Sequence, residues 1–510
     1  MSNRVHTIDG NNLTVENSVN IIKQGLKLKL SPASAKKIKA SRKLVDEWIS
    51  KDEIIYGITT GFGEFKNVKI SKKDSGLLQH KLVTSHTAGV GEFIPDNIVR
   101  LMLLFRINSL AKGFSGVRLE LVEFLIKFFN SGITPLIHSQ GSVGSSGDLS
   151  PLSELALAFI GEGKCKLNGK ILSSKDALKK CGMNPIQLWA KEGLALINGT
   201  QMMAAYTCFA LYDAINLCKL ADIAGAMSLD AMKGIENAFD EKIHNARPHK
   251  GQIKCAANFR ALLKGSAIMK SHDHSIKIQD AYSLRCMPQV HGAVRDTISY
   301  CKGILETEIN SVTDNPLIFP ETGEYISGGN FHGEPIALIS DFLSIAISEL
   351  ANISERRTAR IVDGSLSGLP RFLVKEGGLN SGLMIAQYTS AALVSENKVL
   401  SHPASVDSIP TSANQEDHNS MGSIGGRKFY KVTENVKNVI AIEMLCAAQG
   451  LDFHIPLKSG KGVDAAYNLI RKKINHISQD GILNLEIEKM RELIMDESFL
   501  QTVEKITGKL

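Results

Sequence analysis

Apolar positions recur at helical spacing over most of the later half of the chain. In GEPIALISDFLSIAISELANISERRTARIV, the residues Ile339, Leu343, Ala346, Leu350 and Ile353 fall at alternating steps of four and three, one seam on one helix face. FYKVTENVKNVIAIEMLCAAQG repeats the pattern with Phe429, Val432, Val436 and Val439, and Gly450 reads as its stop. A third long helix is expected over NGTQMMAAYTCFALYDAINLCKLADIAGAMSLDAM, which has few breakers. Nearer the N-terminus, Ser31 and Pro32 read as the N-cap and first residue of a basic helix. Strand signals are short. PLIFPETGEYI, around Leu317, reads as a small hairpin, and no period of a repeat protein stands out.

Six polar clusters interrupt this pattern: YGITTGFGEF from Tyr56, SHTAGVGE from Ser85, INGTQ from Ile197, QDAYSLRCMPQVHG from Gln279, GGNFHGEP from Gly328 and PTSANQEDHNSMGSIGG from Pro410. Long helices joined by chemically equipped loops point to a bundle whose loop ends meet around a site.

Composition excludes more than it selects. The chain's 510 residues are enough for two domains and a large core. The net charge is +7 and the densest basic stretch is KLKLSPASAKKIKASRKLVDEW, where no aromatics interleave the basic residues, so a solvated helix face is favoured over nucleic-acid binding. The most apolar stretch, Leu194 to Leu217, is broken by Asn198, Gln201 and Asp213, which argues against a membrane span. The N-terminal MSNRVHTIDGNN lacks the apolar core of a secretory signal. Eight cysteines without a CxxC pair fit neither a disulfide framework nor a zinc ribbon, and a reducing cytoplasm is the expected compartment. Neither QEDH nor HDH (His272 to His274) has the two-histidine spacing of a zinc hydrolase, so no metal is expected.

HSQGSVGSSGDLSPLSELALAF carries the least ordinary chemistry. Gly141, Gly144 and Gly147 stand at even spacing around Ser145 and Ser146. The spacing is neither GxGxxG nor GxSxG, so nucleotide binding and a hydrolase elbow both fit poorly. A turn capped by Ser150 with Pro151 at the first helical position explains the helix start, with Leu152, Leu155 and Phe159 as its buried face, but leaves three glycines in seven residues without a reason. A chemical reading does supply one. A glycine amide has no Cβ in its way, so the Gly147 nitrogen can attack the Ser145 carbonyl carbon, and loss of water from Ser146 then leaves an exocyclic alkene on a five-membered ring. The positive end of the following helix favours electron flow into that ring.

GSVGSSGDLSPL resembles the self-cyclising segment of the aromatic amino acid ammonia-lyases, whose Ala-Ser-Gly triad makes a 4-methylidene-imidazol-5-one (MIO). YGITTGFG, SHTAGVG, LINGTQ, YSLRC, GGNFHGEP and SANQEDHNSMG follow the family in order, from about Asp52 to Ile470. The triad here is Ser145-Ser146-Gly147, with serine at the usual alanine place. That residue lends only its carbonyl, so register favours Ser146 as the one that dehydrates. SVDSIPTSANQEDH and QDAYSLRCMPQVHG are most similar to the family's histidine-specific members. The phenylalanine and tyrosine enzymes usually have Asn-Gln-Asp where this chain has Gln415-Glu416-Asp417.

The resemblance implies elimination of ammonia from L-histidine, giving trans-urocanate, with no exogenous cofactor. It implies that Tyr56 is the base, a phenol that a neighbouring electrophilic ring can hold partly ionised. Asn198 donates to the ring oxygen, and Arg285 holds the substrate carboxylate. Tyr282 supports the reacting centre and Gln279 the cofactor and substrate shell; a helical turn would place the two on one side. Phe331 packs near the ring, with core packing an equal alternative, and Asn315 is a weaker candidate. His86 and Glu416 face the substrate side chain beside Gln415, with Glu416 by the imidazole.

The implied fold is mainly α, an elongated helical bundle of the aspartase/fumarase-like superfamily. A smaller N-terminal MIO-bearing domain is expected over 1–200 and a long-helix domain over 201–510. A homotetramer with sites shared between subunits is implied. A tyrosine or phenylalanine ammonia-lyase or aminomutase on the same scaffold is the nearest rival. An inactive helical assembly protein is the rival of another class, opposed by the intact set Tyr56, Ser146, Asn198 and Arg285.

Overall fold

The computed structural model describes residues 4–61, 70–71, 74–271 and 278–510. The chain forms two compact units, and the division is not linear. One holds Met1–Tyr212, Lys302–Asp341 and Pro403–Lys428; the other holds Asp213–Cys301, Phe342–His402 and Phe429–Leu510. A split at 200/201 follows chain order alone, whereas the first unit recruits two later segments, both of which carry polar loops.

Helices dominate both units, and the strands occur as small sheets of two or three. In the first unit the Asp96–Ala111 helix is buried from Leu101 to Ala111, including Arg106. The next helix, Leu119–Ser131, ends on Gly132 in the left-handed region (φ +80°), where glycine carries no steric cost. Phe128 meets Phe159 edge to face at 5.0 Å between ring centroids. The Pro32–Ser50 helix begins as the sequence predicts: Ser31 caps it by accepting from the Ser34 amide. Leu317–Phe319 pairs antiparallel with Glu324–Ile326, the expected hairpin.

The predicted long helices run Gln201–Ala231, Glu334–Val362 and Gly422–Asp452. Their apolar seams are buried, with Leu343, Leu350, Phe429, Val432, Val436 and Val439 all inaccessible. Gly450 does not end its helix, which continues to Asp452. It lies inside it because an added Cβ would press within 3.1 Å of Ile361 and Leu369, so glycine there serves close packing. Glu334–Val362 is long and apolar enough to cross a membrane, but 67% of its apolar window is buried within the protein, the use a core makes of such a helix. All eight cysteines are free thiols. The HDH stretch lies outside the described residues.

Buried charges hold the second unit's interior. Asp222 accepts from His291 Nδ1 at 2.8 Å, Asn258 Nδ2 at 2.7 Å and Arg295 at 2.5 Å. Burial opposes its ionisation, yet these donors hold it down to about 2. Arg357 and Glu443 are both inaccessible and meet through two bonds of 2.5 and 2.8 Å, with Ser228 Oγ donating to the same carboxylate. Removing one member strands the other charge in a low dielectric. Arg357→Ala should therefore cost about 3–5 kcal/mol in denaturant unfolding. Arg356→Ala, whose side chain is 64% exposed beside Glu355, should cost no more than about 1 kcal/mol.

Candidate active site

The glycine hinge is a place where two backbones touch. A Cβ on Gly147 would sit 2.1 Å from the Gly199 carbonyl oxygen, and Gly147 has φ +73°, which side-chain-bearing residues adopt only at a cost. Gly199, in turn, is packed on Arg106, Gln201 and Thr313, each of which a Cβ would approach to 2.6 Å. The Asp148 amide donates to the Gly199 carbonyl at 2.7 Å, closing the contact. On the other flank the hinge is stitched to the segment after the Pro410 loop. The Met421 amide donates to Val143 O at 3.0 Å, Ser420 Oγ to Gly144 O at 3.2 Å and Ser423 Oγ to Ser142 O at 2.8 Å. Ser145 is buried by this arrangement, and Ser146 is left half-buried at a cavity wall.

The helix that follows runs Leu149–Phe159, so its cap is Asp148 rather than Ser150, and Pro151 stands third in it. Asp148 does not cap its own helix through its side chain. Its Oδ2 accepts from the Met202 and Met203 amides at 2.9 and 3.0 Å, and its Oδ1 from Ser142 Oγ at 3.2 Å. Those amides open the Gln201–Ala231 helix, a place that favours an anion. Burial nonetheless pushes the Asp148 carboxyl up to about 7. Ser150 Oγ accepts from the Ala88 amide at 3.3 Å instead. The expected buried face of this helix, Leu152, Leu155 and Phe159, is buried.

Arg106 is the support that the sequence pattern hides. Fully buried, it donates to Ala195 O at 2.9 Å, to Asn198 O at 3.0 Å and to Gln201 Oε1. Burial lowers its guanidinium to about 10, with Asp314 and Asp148 acting against that fall. The Asn198 backbone is thereby pinned where the Glu192–Ile197 helix ends, while its buried side-chain Oδ1 has no hydrogen-bond partner among the described residues. Lys191 and Asp314, both inaccessible and 2.6 Å apart, brace the neighbouring turn, where the Asn315 amide donates to Asp314 Oδ1 at 2.7 Å. A lone arginine inside the apolar run LMLLFRINSL is the signal by which Arg106 was detectable.

These parts surround a cavity of about 640 Å³ within the first unit. Tyr56, Ser145, Ser146, Asn198, Asn315, Phe331, Gln415 and Glu416 all line it, eight of the residues singled out from sequence. Asn315 also orders the Ser327–Gly328 turn, its Oδ1 accepting from the Gly328 amide at 2.8 Å. His332 and His418, which the sequence pattern did not single out, lie on the wall with ring centroids 5.4 Å apart. His332 Nδ1 accepts from the Glu334 amide at 3.3 Å, and its Nε2 lies 3.2 Å from His418 O.

Glu416 is carried on a strained turn. Ser412, Ala413 and Asn414 have φ of +52°, +52° and +64°, three successive left-handed residues without a glycine among them. Each such residue costs roughly 1–2 kcal/mol, which the surroundings must offset. The turn is closed by Thr411 and Glu416, whose backbones exchange bonds of 2.9 and 3.3 Å. Glu416 Oε2 accepts from Thr411 Oγ1 at 2.8 Å, and Oε1 faces Ser146 Oγ at 3.4 Å.

Besides Gly147, four expected residues lie off this wall. His86 ends the Ser75–His86 helix with its Nδ1 3.1 Å from Ser85 Oγ. Burial lowers its imidazole, offset in part by the Leu82 carbonyl and by the charge of Glu416. Gln279, Tyr282 and Arg285 belong to the second unit. Gln279 precedes the short Tyr282–Arg285 helix, which starts only after Ala281, so no helical turn pairs it with Tyr282. Tyr282 is 71% exposed, with the Arg285 guanidinium 4.7 Å from its ring centroid, and Arg285 Nε has no partner among the described residues.

Residues 13–472 match the family described as aromatic amino acid lyase. A histidine ammonia-lyase of Caldanaerobacter subterraneus subsp. tengcongensis is 53% identical over 487 residues, 96% of each chain. The crystal structure of histidine ammonia-lyase from Trypanosoma cruzi superposes with a TM-score of 0.92 at 44% identity, covering 99% of this chain and 95% of that one. A tyrosine aminomutase from Streptomyces globisporus reaches a TM-score of 0.94 at 36% identity, covering 99% of both chains. The helical architecture is that of the aspartase/fumarase-like superfamily.

The contact of Gly147 with Gly199 has a direct consequence. Gly147→Ala should force the two strands apart, and hydrogen exchange at the Asp148 amide should accelerate at least about tenfold, the loss of one bond of about 1.4 kcal/mol. Unchanged protection of that amide would mean that the contact yields without opening.

Proposed function

We propose that this chain, which belongs to the aromatic amino acid lyase family, eliminates ammonia from L-histidine to give trans-urocanate. The observation that carries the reading is the convergence of Ser146, Tyr56, Asn198 and Glu416 on one cavity wall. Fold alone does not select the substrate, because a tyrosine aminomutase shares it. The feature favouring histidine is the carboxylate of Glu416, held at the cavity where an imidazole N–H needs an acceptor.

Members of this family are generally MIO-dependent. The finer reading is that Ser145-Ser146-Gly147 forms the group here without an exogenous cofactor. The Gly147 nitrogen bonds to the Ser145 carbonyl carbon with loss of one water, and Ser146 loses a second to become the alkene. Two observations favour the fit: Gly147 occupies a space that excludes a Cβ, and Ser146 reaches the cavity that Asn198 also lines. When formed, the group supplies an electrophile that makes the amine a better leaving group.

The chain's own residues do the rest. Tyr56 takes the β-proton, and Asn198 stabilises negative charge developing on the ring oxygen. Glu416, with His86 nearby, accepts the imidazole N–H. Phe331 and Asn315 shape the wall, and Gln415 flanks Glu416. Arg285 binds the carboxylate, Tyr282 supports the reacting centre and Gln279 belongs to the cofactor and substrate shell. Because these last three do not line the first unit's cavity, the reading assigns them to another copy in a homotetramer with shared sites. An exposed stripe on one helix, Leu338, Phe342 and Ile345, fits such packing. A cytoplasmic location completes the reading.

Intact mass and kinetics test it. The mature chain should weigh two waters less than its sequence, with the loss in the peptide holding Ser145 to Gly147. Ser146→Ala should abolish turnover, whereas Ser145→Ala, which keeps the carbonyl, should leave it largely intact. A full unmodified mass in an active preparation would overturn the cyclisation.

Substrate choice is tested separately. Glu416→Gln should lower kcat/KM for histidine strongly while keeping the fold and the two-water mass loss. An unpaired imidazole N–H alone costs about 1–3 kcal/mol, or one to two factors of ten. Wild-type protein that processes tyrosine or phenylalanine more efficiently than histidine would refute the assignment.

A further inference from the structure

The Glu416 carboxylate has two oxygens with different partners, and only one is engaged by its own loop. Oε2 accepts from Thr411 Oγ1 at 2.8 Å, whereas Oε1 is turned toward Ser146 Oγ at 3.4 Å, too long for a strong bond. Thr411 is itself fixed. Its backbone is extended (φ −132°, ψ 175°), a conformation a β-branched residue favours, and it is paired in both directions with the Glu416 backbone. Buried Asn419 ties the same two residues, its Nδ2 lying 3.4 Å from Thr411 Oγ1 and 3.5 Å from Glu416 O. Between them run the three left-handed residues Ser412, Ala413 and Asn414. A carboxylate at the end of such a turn has free χ rotation unless something holds its far end.

We infer that Thr411 is a positioning residue for Glu416: its hydroxyl fixes Oε2 and thereby presents Oε1 to the substrate side chain. The inference rests on the reading of Glu416 as the imidazole partner. Thr411 does not itself line the cavity, so its hydroxyl reaches the site through Glu416, which does. A hydroxyl bonded to a carboxylate is the strong kind, and its loss frees both the charge and the rotamer. Valine keeps the shape and the β-branch and removes only the hydroxyl; serine keeps the hydroxyl.

The test is a double-mutant cycle on the full protein with histidine as substrate, each variant first checked for the two-water mass loss and for native circular dichroism. Thr411→Val should lower kcat/KM roughly tenfold or more, chiefly through KM. Thr411→Ser should restore it to within about threefold of wild type. In a Glu416→Gln background, Thr411→Val should change kcat/KM by less than about threefold, because the group it positions is gone. If Thr411→Val does not accumulate as folded protein, Thr411→Ala carries the same cycle. Wild-type kinetics for Thr411→Val, failure of serine to rescue, or an equal loss in both backgrounds would each overturn the positioning role while leaving the Glu416 reading intact. A Glu416→Gln variant as active as wild type would overturn that reading, and the inference with it.

Discussion

No side chain fits between Gly147 and Gly199, and the site is organised around that exclusion. Because the two backbones meet directly, the Asp148 amide reaches the Gly199 carbonyl, and the Asp148 carboxyl reaches the start of the Gln201–Ala231 helix. Gly199 is held from behind by Arg106, which also carries the Asn198 carbonyl. One close approach therefore sets the place of Ser146 on one side and of Asn198 on the other. Any added Cβ would disturb both at once.

Around that contact the protein buries charge in places where charge is expensive. Arg106, Asp148, Lys191 and Asp314 are all inaccessible within the first unit. Each is hydrogen-bonded to backbone or to an opposite charge, the condition under which such burial is tolerated. The return is rigidity: Asn198 and Asn315 are fixed by groups that cannot relax into water. The left-handed turn before Glu416 is the same trade made in backbone conformation, with Thr411 and Asn419 closing it.

The likeness of this chain to an aminomutase and to a histidine ammonia-lyase shows how little of the chemistry lies in the helices. The bundle supplies a frame, and the short loops that reach the cavity decide what is bound. Glu416 is a single side chain on one such loop. Its Oε2 is held by Thr411 of the same loop, and its Oε1 is turned toward Ser146.

Much of this was legible from residue order. Helix seams such as Leu343–Leu350 and Phe429–Val439 follow from periodicity, because burial of one face is a local pattern written every three or four residues. The loop motifs and their family resemblance singled out Ser146, Tyr56, Asn198 and Glu416, which the fold brings to one cavity wall. What residue order did not carry was long-range. The bonds of the Asp148 carboxyl to the Met202 and Met203 amides, the role of Arg106 beneath Asn198, and the approach of Gly147 to Gly199 each join segments about 50 to 90 residues apart. Gly450 looked like a helix end by propensity, yet it is buried among Ile361 and Leu369, where packing overrides the local preference. Local patterns specify which face is buried and which loops are polar; only the tertiary contacts decide what each buried face and each loop residue is pressed against.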